Sequence, residues 1–369
     1  MINEQLAELS NLALVVTIVL YVLALIGFGA DLASHSQRRS DARLAAREAE
    51  RLEGRESEGA ERTLQSATVG TAAAGGSTGA ALPADADGPG DSRAARPAED
   101  GPAPGTMTAQ RFAFLLTAAA TVLHLVGVVT RALATQRVPW ANMYEFATTS
   151  TAVVMIAFLV FSLRRVELRA LGTFVVGPVL LVLLLAQTFW IVPAAQLTPS
   201  LQNSHWIYIH IGVAIIATAL SILGAVVAGM QLLQARHENA LVERAGAGEE
   251  HPEHWGRFGH VLDRLPSSTV LEALSFRIHS VAFVCWTFTL IFGAIWAREA
   301  WGRFWGWDPK EVWTFIIWVI YAAYLHARAT GGFRGSRAAG LALAGFVAVV
   351  FNYTIVNTVI NGLHSYSGL

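Results

Sequence analysis

The residues able to do chemistry in this chain gather in one short stretch and at a few histidines. Residues 296–313 read WAREAWGRFWGWDPKEVW, five tryptophans in eighteen positions. Tryptophans mark bilayer interfaces, but a belt spreads its rings over many helix ends, whereas these share one loop with Gly302 and Gly306. Glycine lets backbone approach a flat partner and lets neighbouring rings turn toward it. Trp301, Trp305 and Trp307 can therefore present an aromatic platform for a planar macrocycle, and composition leaves belt and platform both open. The run Asp308-Pro309-Lys310-Glu311 has the form of a capping box, with Asp at the N-cap, Pro at the first helical position and Glu at the third. It fixes where the next helix starts and so helps set the angle of the loop.

The elements that must position this loop lie in a membrane. Of 369 residues 54% are hydrophobic and only 14% charged, with a mean hydropathy of +0.46. A soluble domain needs more charge to solvate its surface. Spans of about 20 apolar residues are expected near 11–30, 112–130, 144–163, 171–192, 206–230, 278–297, 311–328 and 339–360. The fold class is an all-α polytopic membrane protein of about eight transmembrane helices. The first run follows Glu4 and Glu8 and precedes Arg38, Arg39, Arg43 and Arg47, so it reads as a retained helix with its N-terminus outside rather than a cleaved leader. Three parts are expected: an N-terminal transmembrane helix (1–32), a linker (33–107) and a transmembrane domain (108–369). The linker is rich in Arg, Glu, Ala, Gly, Ser, Pro and Asp and lacks aromatic residues, so it reads as disordered and cytoplasmic, with a polar helix at 41–55 at most.

Arginine-rich connections at Arg164, Arg165 and Arg169, at Arg236, Arg244, Arg257 and Arg264, and at Arg328, Arg334 and Arg337 share a side with Arg38 and Arg39. The positive-inside rule makes that side cytoplasmic, which puts both termini outside in a cell membrane. Arg131, Arg137, Arg298, Arg303 and Lys310 fall on the outer side, where a counter-charge or an anionic ligand is expected. The net charge of −1 does not point to nucleic acid, and no such partner is expected. Cys285 is the single cysteine, which excludes an internal disulfide and a CxxC redox pair.

Histidines in a membrane are costly and often functional. By this topology His210, early in the helix after an outer loop, and His364, just past the last helix, reach the same face as the tryptophan loop. Two neutral imidazoles flanking aromatic rings suit a six-coordinate haem iron. His326 lies about 27 Å along the helix that starts at Asp308, near the inner leaflet. His124, at a different depth, reads as a core histidine, so these two do not pair on one iron. His205 is expected at the outer rim and His279 at the interface. His251, His254 and His260 are expected in a solvated loop without a metal pattern.

WGRFWGWDPKEVW followed by YLHAR, with IHIG upstream, NGLHSY at the C-terminus and PWANMYEF at 139–146, resembles the CcsA/ResC family of cytochrome c biogenesis proteins over residues 110–369. The resemblance implies haem b as cofactor and cargo, a ResB-type membrane partner, and apocytochrome c as the protein substrate. Carried over, His210 and His364 match the outer axial ligands, and Trp301, Trp305, Trp307 and Asp308 match the tryptophan-rich haem loop. His326 matches an intramembrane histidine whose opposite ligand comes from the partner.

The expected function is to bind haem b, move it to the outer face and, with the partner, attach it to a CxxCH segment as part of a cytochrome c synthase (haem lyase). His210, His364 and Asp308 take the catalytic places. Trp301, Gly302, Trp305, Gly306, Trp307 and Asp308 hold the macrocycle, and Arg298, Arg303 or Lys310 meets its propionates. His210, His364 and His326 are the metal ligands. With one cysteine, thiol reduction of the substrate falls to a separate partner. The alternatives are a haem exporter or chaperone that forms no bond, and a bis-histidine electron carrier. The carrier predicts two histidine pairs at matched depths, which this sequence does not offer.

Overall fold

A computed structural model describes residues 2–33, 108–195, 204–249, 253–330 and 332–364. The expected linker from residue 34 to 107, with its polar helix, lies outside them, as does His251. The helices are α1 (Glu4–Ala33), α2 (Ala109–Thr135), α3 (Met143–Arg164), α4 (Gly172–Phe189) and α5 (Trp206–Gly246). After them come α6 (Gly256–Leu262), α7 (Ser268–Trp301), α8 (Pro309–Ala329), α9 (Ser336–Tyr353) and α10 (Ile355–Thr358). A 3-10 segment, Val166–Leu171, leads into α4. All but α6 belong to the eight spans long and apolar enough to cross a membrane, α9 and α10 together forming the last, and the described residues contain no strand. The all-α, eight-span expectation holds, and this is a multi-pass membrane protein.

The most extensive helix pair is α5 with α7, and α8 and α9 close over one side of it. On the other side α3 packs on α5 and on α4, with α2 beside α3. The N-terminal helix is fastened to α2 by hydrogen bonds from Ser10 to the Gly127 carbonyl (2.7 Å) and between Tyr21 and Thr121 (3.1 Å). Buried threonines such as Thr17, Thr117 and Thr151 return their hydroxyls to carbonyls four residues back. Inside a bilayer that local bond removes the cost of an unsatisfied hydroxyl.

Three of the helix limits that differ from expectation do so for a polar reason that apolar windows do not register. Helix α5 runs to Gly246 rather than 230, for a length of about 60 Å, twice the roughly 30 Å hydrocarbon core. Its polar continuation is held by tertiary bonds: Gln231 to the Gly335 carbonyl (3.2 Å) and His237 to Asp263 (3.0 Å). Helix α7 begins ten residues before its apolar part, where Glu238 accepts the Ser268 backbone N–H at 3.0 Å. The last span, expected to run unbroken to 360, breaks at Thr354. There the Lys310 ammonium takes the Asn352 carbonyl, the acceptor an unbroken helix would offer Val356.

Candidate functional site

One end of the bundle collects the loops after α2, α4 and α7, the start of α5 and the chain after α10. Its frame is an ion cluster about Glu145, whose side chain is fully buried. The carboxylate accepts Arg131 at 3.2 Å, Arg137 at 2.7 Å and the Ala141 N–H at 2.9 Å. The two guanidinium groups also donate to the carbonyls of Val192 and Ala195. Two loops are thereby tied to the start of α3, where Asn142 caps the Glu145 N–H (2.9 Å). For Arg131 and Arg137 the counter-charge reading is the one found. Removing one partner from so buried a set typically costs 3–5 kcal/mol.

Above this frame opens a cavity of about 170 Å³, walled by Trp140, Phe146, Trp286, Trp296, Trp305 and Tyr353. Its polar lining includes His210, His364, Lys310 and Glu311. His210 and His364, brought from α5 and from the C-terminal tail, thus share one chamber.

Each imidazole is anchored through the same nitrogen. His210 Nδ1 lies 3.0 Å from the Thr289 carbonyl on α7, and its ring stacks on Trp296 with centroids 6.2 Å apart. The close fit depends on Gly293, where a Cβ would come within 2.8 Å of the His210 ring. His364 Nδ1 lies 2.8 Å from Asp308 Oδ2, with its ring edge-on to Trp301 at 4.8 Å and to Trp296 at 5.9 Å. A carbonyl and a carboxylate can only accept, so both Nδ1 atoms carry the proton. In the neutral form of either ring the lone pair is then on Nε2, the arrangement in which a histidine binds a metal while a second group fixes its tautomer.

Asp308 joins the helix start to the tail. It caps α8, with the full capping box formed, and Glu311 Oε2 accepts from Gly306 (2.8 Å) and Asp308 (3.1 Å) backbone N–H groups. Its Oδ1 accepts the Leu363 N–H at 2.6 Å, and a side chain at Gly362 would collide with that oxygen. Burial pushes the Asp308 carboxyl up. The hydrogen bonds from His364 and from the Leu363 and Lys310 N–H groups outweigh it and hold the acid below its ordinary range.

The tryptophans divide. Trp301 packs on Trp296 and His364, and Trp305 lines the cavity. Trp307 is 72% exposed and sits edge-on to Trp305 at a left-handed backbone position (φ 58°). Gly302 ends α7 in the left-handed conformation (φ 74°), as a helix C-terminus favours. Gly306 makes room for Arg303, whose guanidinium occupies the space of a Cβ there. Arg298 is exposed and lies over Phe304. Of the three cations expected to meet an anion, Lys310 is the one in the cavity wall.

His326 is apart from the cavity, exposed on α8 on the face that carries Phe315 and Val319. That helix has 17% of its apolar window buried, the least of the eight spans. His124 is a core histidine as expected, fully buried with Nδ1 3.4 Å from the Tyr21 hydroxyl. His279 is corrected from interfacial to core: it is fully buried, bonds the Ser275 carbonyl (2.9 Å) and fits against Gly224. His205 is exposed. His254 and His260 are not simply solvated, since His254 stacks on His237 and His260 lies 3.6 Å from Asp263. No group of three or more acidic, cysteine or histidine residues among those described is placed to hold a metal ion.

Trp140, Phe146, Thr289, Gly293 and Trp296 were not singled out as site residues in the sequence. Trp296 carried a signal as the first ring of the tryptophan stretch, and Trp140 and Phe146 as part of the PWANMYEF run at 139–146. The others are small residues on α7, and only the fold brings them to the histidines.

Residues 113–364 match the family described as "Cytochrome C assembly protein". Among curated relatives, the chain is 32% identical over 272 residues to a cytochrome c biogenesis protein CcsA of Prochlorococcus marinus, covering 68% of this chain and 83% of the relative. It is 38% identical over 179 residues to the protein of that name from Parasynechococcus marenigrum, covering 47% and 58%. Against the one from Chlamydomonas reinhardtii it is 38% identical over 173 residues, covering 47% and 43%. The latter two matches span about half of those relatives' length.

Proposed function

The chain belongs to the cytochrome c assembly protein family and so serves cytochrome c biogenesis, and we propose that it binds haem b and presents it at the outer face of a cell membrane for covalent attachment to apocytochrome c. One observation carries this reading. Two histidines from distant elements line one aromatic cavity, each tied through Nδ1 with its lone pair on Nε2. That donor set fits a bis-histidine haem iron. In this reading residues 108–369 are the haem-handling domain, and the arginine-rich connections at the opposite end favour an outer position for its cavity.

His210 and His364 hold the iron, and Trp301, Trp305 and Trp296 exclude water around the ring. The cavity is small beside the roughly 300–1,000 Å³ of ordinary ligand pockets, so the tail bearing His364 swings out to admit the macrocycle. A reduced CxxCH segment then approaches the vinyl edge. Each thiol adds across a vinyl group, sulfur to one carbon and hydrogen to the other. The contribution of this chain is positioning, and a separate protein keeps the substrate thiols reduced. Haem enters at His326, whose exposed face on the sparsely covered α8 receives a ResB-type partner carrying the second ligand.

To test this, the chain, its partner and a CxxCH substrate are co-expressed and the products stained for covalent haem. Covalent product that disappears with His210→Ala and with His364→Ala is expected. Haem-loaded protein that yields no covalent product with the partner present would instead make the chain a haem exporter.

A further inference from the structure

We infer that Lys310 is the anchor for a haem carboxylate: its ammonium, in the wall of the cavity that holds His210 and His364, pairs with one propionate of the bound porphyrin. This rests on the haem-binding reading above and narrows it to one residue.

Lys310 is the sole lysine of the chain. Its Nζ donates to the Asn352 carbonyl and to Asn357 Oδ1, both at 2.9 Å. Both acceptors are neutral, and an ammonium has three donors. No carboxylate of the described residues forms an ion pair with it. Of the nearby acids, Asp308 takes Leu363 and His364, and Glu311 Oε2 takes the Gly306 and Asp308 N–H groups, while the buried Glu311 Oε1 has no hydrogen-bond partner among the described residues. The other cations of this end lie apart from the cavity wall or are paired, although Arg303 Nη1 is buried without a hydrogen-bond partner among the described residues. Arg131 and Arg137 share Glu145, while Arg298 and Arg303 pack against Phe304 and Gly306 outside the cavity wall.

A structural role explains part of this. A cation near the last carbonyls of α9 favours the helix end, and the Asn352 contact does that. It leaves one donor unused. An incoming carboxylate would take that donor and add a counter-charge to the one that Asp308 supplies nearby. Haem carries two, and Lys310 lies in the chamber lined by both histidines.

The test compares ferric protoporphyrin IX with its dimethyl ester, which has the same iron, ring and vinyl groups but no carboxylates. Both are titrated into the detergent-solubilised complex of chain and partner. The wild type is expected to bind the free acid about 10- to 100-fold more tightly, the span of a hydrogen bond between charged groups. Lys310→Met should remove most of that preference while leaving ester affinity within about threefold, and Lys310→Arg should keep most of it. A purely structural lysine would weaken both porphyrins alike and leave their ratio unchanged, which overturns the inference. A wild type indifferent to esterification also overturns it and points to another anion at Lys310, such as a lipid phosphate. A wild type that binds neither porphyrin removes the haem-binding reading itself, an outcome distinct from the other two.

Discussion

Asp308→Asn isolates one atom pair at the centre of the site. The substitution keeps size and shape, and Asn caps a helix about as well as Asp, but the capping Lys310 N–H shares Oδ2 with His364, so the cap of α8 is kept only when the amide oxygen takes that place. The link to the tail changes in either case. Asp308 serves Leu363 through Oδ1 and His364 through Oδ2, and an amide has one oxygen where the carboxylate had two. If the oxygen stays with Leu363, the amide nitrogen faces His364 Nδ1 and can only donate. The imidazole must then carry its proton on Nε2, which removes the lone pair that ligates iron. If the oxygen turns to His364 instead, the Leu363 N–H loses its acceptor. Either way a hydrogen bond to a charged group is lost, worth about 2 kcal/mol, or roughly 30-fold. Loss of an outer partner of a metal-bound histidine independently gives about 10- to 100-fold. The expected result is a ~30-fold weaker haem affinity with a low-spin spectrum giving way to high-spin iron. Titration of ferric haem into the partner complex, followed in the Soret and visible bands, measures both. Affinity within about threefold of wild type and a fully low-spin spectrum would refute the tautomer argument.

Three further outcomes follow from neighbouring contacts. Gly293→Ala puts a Cβ within 2.9 Å of His210 Nδ1, so it should displace that ring from the Thr289 carbonyl and weaken haem binding about tenfold or more; unchanged affinity would mean that the fit against Gly293 is not needed. His326→Ala removes an exposed side chain and should leave folding intact while depleting haem at the outer site of the partner complex; normal outer-site occupancy would end the entry-path idea. The Asp308 carboxyl is held below its ordinary 3.8, so its hold on the tail is complete above that value and is lost only as pH falls through the lower, folded one. A nitroxide at Leu363→Cys, in a Cys285→Ser background, should therefore stay immobilised at about pH 5 and become mobile only in stronger acid; release near neutral pH would contradict the assignment.

The sequence told most about what depends on local order. Eight apolar runs give eight spans, and Asp308-Pro309-Lys310-Glu311 gives the start of α8, because hydropathy and capping are properties of neighbours in the chain. It also sent His210 and His364 to one face through a consistent topology, and both line one cavity. What it could not tell depends on contact at a distance. The extension of α5 rests on Gln231, His237 and Glu238 finding partners 26 to 104 residues away. Nothing near His279 in the chain announces that Gly224 will make room for it. The three cations Arg298, Arg303 and Lys310 look equivalent in a loop, and only packing turns two of them away from the cavity.

The two histidines proposed to hold the iron are not held alike, and that difference points to an order of events. His210 belongs to a 41-residue helix and is pressed between Trp296 and the α7 backbone at Thr289 and Gly293, so moving it means repacking the largest helix pair. His364 follows a helix of only four residues; its tail is tied to Asp308 by two hydrogen bonds, and its ring packs edge-on against Trp301 and Trp296. Breaking the two bonds to Asp308 costs about 3–6 kcal/mol, which a new axial ligand on the iron can offset. The histidine of an incoming CxxCH segment should therefore displace His364 and leave His210 in place. With a CxxCH peptide in excess, wild type and His364→Ala should converge on the same low-spin spectrum, the peptide supplying the ligand that the variant lacks. His210→Ala should not be rescued in this way. If the peptide instead restores His210→Ala and fails with His364→Ala, the exchange runs at the other face of the haem and the tail is its permanent ligand.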